Sequence, residues 1–499
     1  MTHLPFQRRD LDLRVDYVVV GSGAGGATAA VTLARAGASV ALVEAGAWRD
    51  PADYPSSTYG AMRDLFDDWG VTITRGRAFW PIVQARTVGG TTVINSAICV
   101  RTPEDIFRQW KREHGFGGNG FAERIWAYQD DIEADLYAEP VPARSAGRSN
   151  ELALLGAQRA GYDSHVITRY AKGCEGRGQC LQGCRAERKQ STNLNYIPQI
   201  RRLGSYVVSS APVHRVLFRA RRAVGVAGRF VHPDTRQKGG TFELRARRAV
   251  IVAASATHSP ALLQRSGVRS RALGKFFRAH PGTGVFGCYD EEVDMNRGAT
   301  QGWASTAFRD EPGLKLETLS IPPEMVASRL AGGGQKLMQR LRDYRHIAMW
   351  CHAVRAESHG TVRNGLFGKP VVRYTLDRAD MERFRQGMYI LAKTHVAAGA
   401  KAIIPGIYGM PYQLKPDEIH VLKDAPLDPR RYIAILSHLF GGCVMGADSR
   451  QAVCDERGQV HDYENLFVAD ASIIPTNLGV NPQHTIMALA RYVAEEAMA

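Results

Sequence analysis

Three glycines in VDYVVVGSGAGGATAAVTLARAGASVALVEAG, residues 15–46, constrain this chain more than any other feature. Gly21, Gly23 and Gly26 form G-x-G-x-x-G between two segments of opposite character. Tyr17 to Val20 is a short apolar, β-branched run that suits a strand of a parallel sheet covered on both faces. Gly25 to Ala36 is alanine-rich and reads as a helix. Ala38 to Val43 reads as the next strand, and Glu44 stands at its end. In a strand–turn–helix of this kind, Gly21 permits the tight turn and Gly23 lets the backbone approach a pyrophosphate. Gly26 lets the helix lie close on the strand. The helix N-terminus then offers amide donors and partial positive charge to the phosphates. Glu44 is placed to accept hydrogen bonds from a ribose diol, which disfavours a 2′-phosphorylated cofactor. The expected fold class is α/β, with a Rossmann-type dinucleotide-binding domain.

Composition narrows the remaining classes. The chain has 499 residues, 44% hydrophobic and 23% charged, which is ordinary globular composition and excludes fibrous and disordered chains. That length suggests more than one folding unit. No apolar run approaches the ~18 residues of a spanning helix, so the chain is expected not to cross a membrane. The start, MTHLPFQRRDLDLR, lacks an apolar signal core, and a cytoplasmic location is the default. The formal net charge is +15. Its arginines are scattered and do not interleave with aromatics, so no nucleic-acid partner is expected. A basic rim could still attract an anionic substrate or a partner protein.

A second glycine-centred segment, ARTVGGTTVINSAICVR at 85–101, follows in the same region. Gly89 and Gly90, with Thr91 and Thr92, offer further amides and hydroxyls, and Asn95 is a polar residue in apolar surroundings. One domain needs two such segments when the dinucleotide is long, which favours FAD over NAD. Near the C-terminus, Asn465 to Asp470 reads as a buried strand ending in an acid, where α/β ligands bind. A helix is expected from Pro482 with Asn481 as its N-cap. SHLFGGCVMG, residues 437–446, places His438 before a glycine turn. Taken alone, the stretch fits either a catalytic base or a core histidine.

These segments together resemble the glucose–methanol–choline oxidoreductases along nearly the whole chain. Residues 85–101 look like that family's second FAD-contacting motif, and YVVSSAPVHRVLF resembles the strand whose valine, here Val213, meets the adenine. RRAVIVAASATHSPALLQRSG, LGKFFRAHPG and ENLFVADASIIPTNLGVNPQHTIMALARYVAEEAM continue the likeness. The resemblance implies FAD contacts at Asp470, Pro482 and Thr485 as well. Family members often join the flavin covalently to a histidine in the slot that Ile94 fills, so non-covalent FAD is implied here. His438 and Asn481 are similar to the His–Asn pair of cholesterol and choline oxidases. His438 would take a hydroxyl proton while hydride leaves for flavin N5, and Asn481 would orient the hydroxyl. The implied reaction is oxidation of a primary or secondary alcohol, with O2 or another electron acceptor. The same scaffold supports lyase and photodecarboxylase activities, and catalytic subunits of electron-transfer complexes.

The resemblance also implies a discontinuous FAD-binding domain, 10–110, 170–290 and 430–499, and a β-sheet substrate domain from 111–169 and 291–429. AKAIIPGIYGMPY at 400–412 hints at an apolar or aromatic alcohol. Cys174, Cys180 and Cys184 crowd into eleven residues. Three thiolates could hold a [3Fe–4S] cluster, or a [4Fe–4S] cluster with another ligand; the alternative is three thiols packing an insert. The stretch is similar to the cysteine-rich insert of long-chain alcohol oxidases, which commonly has four cysteines.

Overall fold

The computed structural model describes residues 2–499. Its first sheet grows from the glycine-motif strand, which runs Leu11–Val20. The strand starts six residues earlier than its apolar core suggests, because LDLRV alternates and pairs in parallel with Phe242–Ala246. Leu11–Val20 lies between Val40–Val43 and the long strand Lys238–Val252, and Leu466–Val468 pairs in parallel with the latter. Tyr206–Val208 and His3–Leu4 complete one edge, and the antiparallel hairpin Val213–Arg219 and Arg222–Val231 forms the other. Val18, Val19, Val40 and Ile251 are wholly buried, as strands covered on both faces must be. The helix Ala24–Arg35 follows the motif and packs against the C-terminal helix Gln483–Glu496.

A second, antiparallel sheet has its own core. Its order is Ala402–Ile404, Arg278–Cys288, Ile347–Val354, Leu314–Thr318, Trp303–Ser305 and His165–Val166, with Ile435–Phe440 also pairing Arg278–Gly282. The helix Arg378–Ala397 packs on one face of this sheet. Its other face covers the cleft described below.

The packing divides the chain differently from the expected domain limits. The helices Glu104–His114 and Phe121–Asp135 bury Ile106, Trp110 and Ile125 in the same core as Val18 and Val493, so they belong with the first sheet. Conversely, Arg278–Cys288 and Ile435–Phe440 are strands of the second sheet, with Ala279, Leu436 and Leu439 in the second core. His438 therefore stands on the roof of the cleft, not within the cofactor domain. The 400–412 stretch also differs from expectation. Ile403, Ile404 and Ile407 face the second core, and none of these residues lines the cleft. No helix among the described residues is long and apolar enough to cross a membrane.

Candidate active site

The two glycine segments meet in space. Gly21 takes φ +102° at the end of its strand. The Gly89 amide donates to Ser22 Oγ at 2.9 Å, and Gly90 comes so close that a Cβ on it would lie 2.7 Å from Gly23 Cα. A cleft of about 1710 Å³ opens beside them. Gly21, Gly23, Glu44 and Val213 line one part of it, Gly90, Ile94 and Asn95 another, and Asp470, Asn481, Pro482 and His438 the rest. A Cβ on Gly23 would meet no protein atom closer than 3.9 Å, so the backbone there is bare toward the cleft. Together with the helix N-terminus behind it, this cradle fits the pyrophosphate of FAD.

The expected cofactor residues divide into two kinds. Glu44 is buried at the cleft wall, and its carboxylate accepts from Ser22 N at 3.0 Å, Ser22 Oγ at 2.7 Å and Gly46 N at 2.7 Å. Asn95 donates to Gln483 Oε1 at 2.6 Å and accepts from Ala97 N at 3.0 Å. The Val213 carbonyl is taken by Arg265 at 2.9 Å. Burial pushes the Asp470 carboxyl up, although Ser255 N and Ser472 N donate to it at 2.9 and 2.8 Å. Gly26 packs its helix on the Gly21 turn, Gly89 joins the two segments through Ser22, and neither lines the cleft. Nor does Thr485, whose hydroxyl meets Thr102 at 2.8 Å on the far side of its helix. His484, one residue earlier, is held by Tyr170 and by Glu133 at 3.1 Å, and serves packing.

Asn481 does not cap its helix. The helix begins at Gln483 with Pro482 in the capping position. This frees the Asn481 amide to meet the roof sheet. Its Nδ2 lies 3.5 Å from His438 Nε2, and its Oδ1 accepts from Lys315 Nζ. Lys315 also pairs with Glu317 at 2.8 Å, with both side chains buried. Burial alone would raise the Glu317 carboxyl, but Lys315 outweighs it and holds the group below its ordinary value. Because an ammonium only donates, Lys315 fixes which way the Asn481 amide points, with Nδ2 toward His438.

Beside His438 lies a second histidine. His280 faces it across the sheet, Nδ1 to Nδ1 at 3.0 Å. The Gly479 amide can donate to His280 Nε2 or to Asn477 Oδ1, each at 3.1 Å. Used on His280, it places the His280 proton on Nδ1 and leaves His438 with an Nε2–H facing the cleft. Used on Asn477, it lets the His438 proton sit on Nδ1, and Nε2 becomes a lone pair that accepts from Asn481. One backbone amide thus chooses between a donor and a base at the cleft. Burial lowers the His438 pKa to about 4, so the ring is neutral at neutral pH. Burial and then His438 lower His280 well below its ordinary value. His280→Ala is expected to keep FAD bound and to slow substrate-dependent flavin reduction by about 10–100-fold, as losing the partner that orients a working histidine does. Stopped-flow reduction of the variant measures this, and an unchanged rate removes His280 from the relay.

Lys315 and Glu317 are not marked by any motif in the sequence, and His280, though it lies within LGKFFRAHPG, draws no role from it. LKLET alternates apolar and charged residues, which ordinarily signals a strand with one face in water. Only the sheet's place over the cleft turns that face inward.

The three clustered cysteines are not gathered as ligands of a single metal ion. Among the described residues, their sulfurs are not gathered within 4.8 Å of one another. The space between them is about 40 Å³, which suits a few waters. The Arg169 guanidinium fills the gap, 3.0 Å from Cys180 Sγ and 3.8 Å from Cys174 Sγ. Lys189 passes beneath to the Val93 and Asn95 carbonyls at 2.6 and 2.7 Å. The insert braces the Val93–Ser96 backbone, and its packing lends no support to an iron–sulfur cluster.

Comparison with known proteins shows which chains this one is similar to. The GMC oxidoreductase family models match residues 15–282 and 356–490. A GMC-type oxidoreductase from Mycobacterium tuberculosis is 37% identical over 97% of this chain and 76% of its own length. A long-chain-alcohol oxidase from Arabidopsis thaliana is 26% identical over 97% of this chain and 66% of its own. The crystal structure of pyridoxine 4-oxidase from Mesorbium loti superimposes with a TM-score of 0.72 at 18% identity, covering 96% of this chain and 98% of that one.

Proposed function

Because the chain belongs to the GMC oxidoreductase family and is an FAD-dependent oxidoreductase, we propose that it oxidises a primary or secondary alcohol to an aldehyde or ketone. The observation that carries this reading is the approach of His438 and Asn481 to 3.5 Å at the wall of the cleft that the glycine loop opens. FAD, when bound, supplies the hydride acceptor at N5. The protein's own work is to hold the alcohol oxygen and receive its proton. Asn481, oriented by Lys315, donates to the oxygen. His438, neutral in its buried site, takes the hydroxyl proton at Nε2 when Gly479 turns to Asn477. Leu319, Ile321, Met325 and Met349 line the cleft on the roof side and favour an aliphatic substrate. The Arabidopsis relative, a long-chain-alcohol oxidase, supports an alcohol substrate with O2 as the electron acceptor.

An anaerobic screen of alcohols for flavin bleaching, followed by admission of oxygen, tests the reading. Bleaching by an alcohol and recovery of colour in air are expected. A flavin that no alcohol bleaches would instead point to redox-neutral chemistry. The FAD is held without a covalent bond in this reading, since Ile94 offers no nucleophile at its place in the cleft. Acid precipitation should leave the flavin in the supernatant, and a yellow pellet would refute the claim.

A further inference from the structure

The roof side of the cleft holds one charge that the proposed chemistry does not use. Arg329 follows the short helix Pro323–Ala327 and lines the cleft beside Ile321, Met325 and Cys351. Its side chain is part-buried at the cleft wall, and burial lowers its pKa. Among the described residues, no carboxylate lies within 4.0 Å of it. Its one hydrogen bond is to the Ile433 carbonyl, at 3.4 Å. The neighbouring acids are engaged elsewhere. Glu317 is paired with Lys315 at 2.8 Å, and Glu324 accepts from Thr58 N at 3.2 Å. A guanidinium carries five N–H donors in a planar fork matched to a carboxylate. A carboxylate that enters the cleft would find that fork free to receive it.

Its position along the sheet sets a distance. The Ile433 carbonyl that holds Arg329 also accepts from Thr283 Oγ1 at 2.6 Å, which ties it to the strand Arg278–Cys288. His438 follows five residues later in the same extended run, so at a rise of about 3.3 Å per residue the two points lie at most roughly 16 Å apart. Between them the cleft is lined by Ile435 and Ser437, while Cys351 and Met349, on the strand Ile347–Val354 across Arg278–Cys288, line it level with and beyond the Ile433 end. A basic group at one end, a hydroxyl-handling pair at the other, and the aliphatic Ile321, Met325, Met349 and Ile435 on the walls describe an amphiphile.

We propose that the substrate is an aliphatic alcohol bearing a carboxylate at its far end, and that Arg329 is the residue that selects it. This rests on the alcohol-oxidising reading above and names its substrate class. The hydroxyl end meets His438 and Asn481, and the carboxylate takes the Arg329 fork.

The holoenzyme is assayed anaerobically with a series of aliphatic ω-hydroxy acids and the n-alkanols of matching length, reading kcat/KM for flavin reduction. The expected result is a preference for the hydroxy acid of about tenfold or more at the best chain length, as for a part-buried charge that gains a bidentate partner. Arg329→Leu should erase that preference by weakening the hydroxy acid and leaving the alkanol close to wild type. Arg329→Lys, which keeps the charge but loses the fork, should retain part of it. Equal rates for acid and alkanol in the wild type would overturn the assignment, and that comparison needs no variant to fold. So would a preference that survives Arg329→Leu. If neither series bleaches the flavin, the alcohol-oxidising reading itself fails, and the two failures are told apart.

Discussion

Replacement of His438 by alanine is expected to leave FAD bound and to slow flavin reduction by alcohol by about two orders of magnitude or more, the usual effect of removing a general base. FAD should be retained because the cradle is built from the first sheet's loops, whereas His438 stands on the second sheet, on the strand Ile435–Phe440. The rate should fall because neither neighbour can take over. His280 lines the cleft from the adjacent strand with its Nε2 held by the Gly479 amide, and Lys315 is committed to Glu317 and Asn481. The same residue sets the pH dependence. A base works above its own pKa, and burial lowers that of His438 to about 4. In the wild type, reduction should be flat from neutral pH down to about 5 and should fall as the ring protonates on further acidification. Stopped-flow reduction across pH, on wild type and variant, measures both effects. A wild-type midpoint near the ordinary histidine value would mean that the base is not buried as described.

A pair of glycine substitutions should separate folding from cofactor binding. A Cβ at Gly26 would lie 1.8 Å from the Gly21 carbonyl oxygen and 3.2 Å from the Ala253 Cβ. Neither the strand nor the turn can yield, since Val18 to Val20 and Ile251 form the buried centre of the sheet. Gly26→Ala should therefore force the helix off the strand, at a cost of about 1–3 kcal/mol or more, and yield protein without flavin and with a lower melting temperature. At Gly23 the same added carbon meets nothing in the protein closer than 3.9 Å and projects into the cleft. Gly23→Ala should keep the fold and its circular dichroism while weakening FAD by about tenfold or more, because backbone approach to the pyrophosphate is lost. Flavin-to-protein ratio and thermal melts report the two outcomes. Stoichiometric FAD in Gly23→Ala would show that this turn is not the phosphate cradle.

The parts of the site that could be read from the sequence share one property. Gly21, Gly23, Gly26 and Glu44 sit within one strand–helix–strand unit, where spacing along the chain dictates position in space. Their residue types are what a close backbone approach and a strand-end acid require. His438 and Asn481 were legible as separate segments, and their meeting at 3.5 Å follows the pairing of Ile435–Phe440 with Arg278–Gly282 over the start of the last helix. Where local rules were applied at segment ends, the structure departed from them. Asn481 reads as a helix cap because its own neighbours suggest one, but tertiary contact with Lys315 gives its side chain another use. Thr485 shares a motif with cofactor residues, yet faces Thr102, because successive helical residues point in different directions.

The dinucleotide fold, the two glycine segments and the identities of the histidine and asparagine can be read along the chain. These depend on interactions among residues close in the chain, or on residue types that few other structures would require. Folding in three dimensions is what turns the charged strand Leu314–Thr318 inward, sets His280 beside His438, and brings Arg329 to the cleft without a carboxylate partner. Each is a contact across sheets or between distant segments, where side-chain alternation says that a face is polar but not whether that face meets water or a buried cleft.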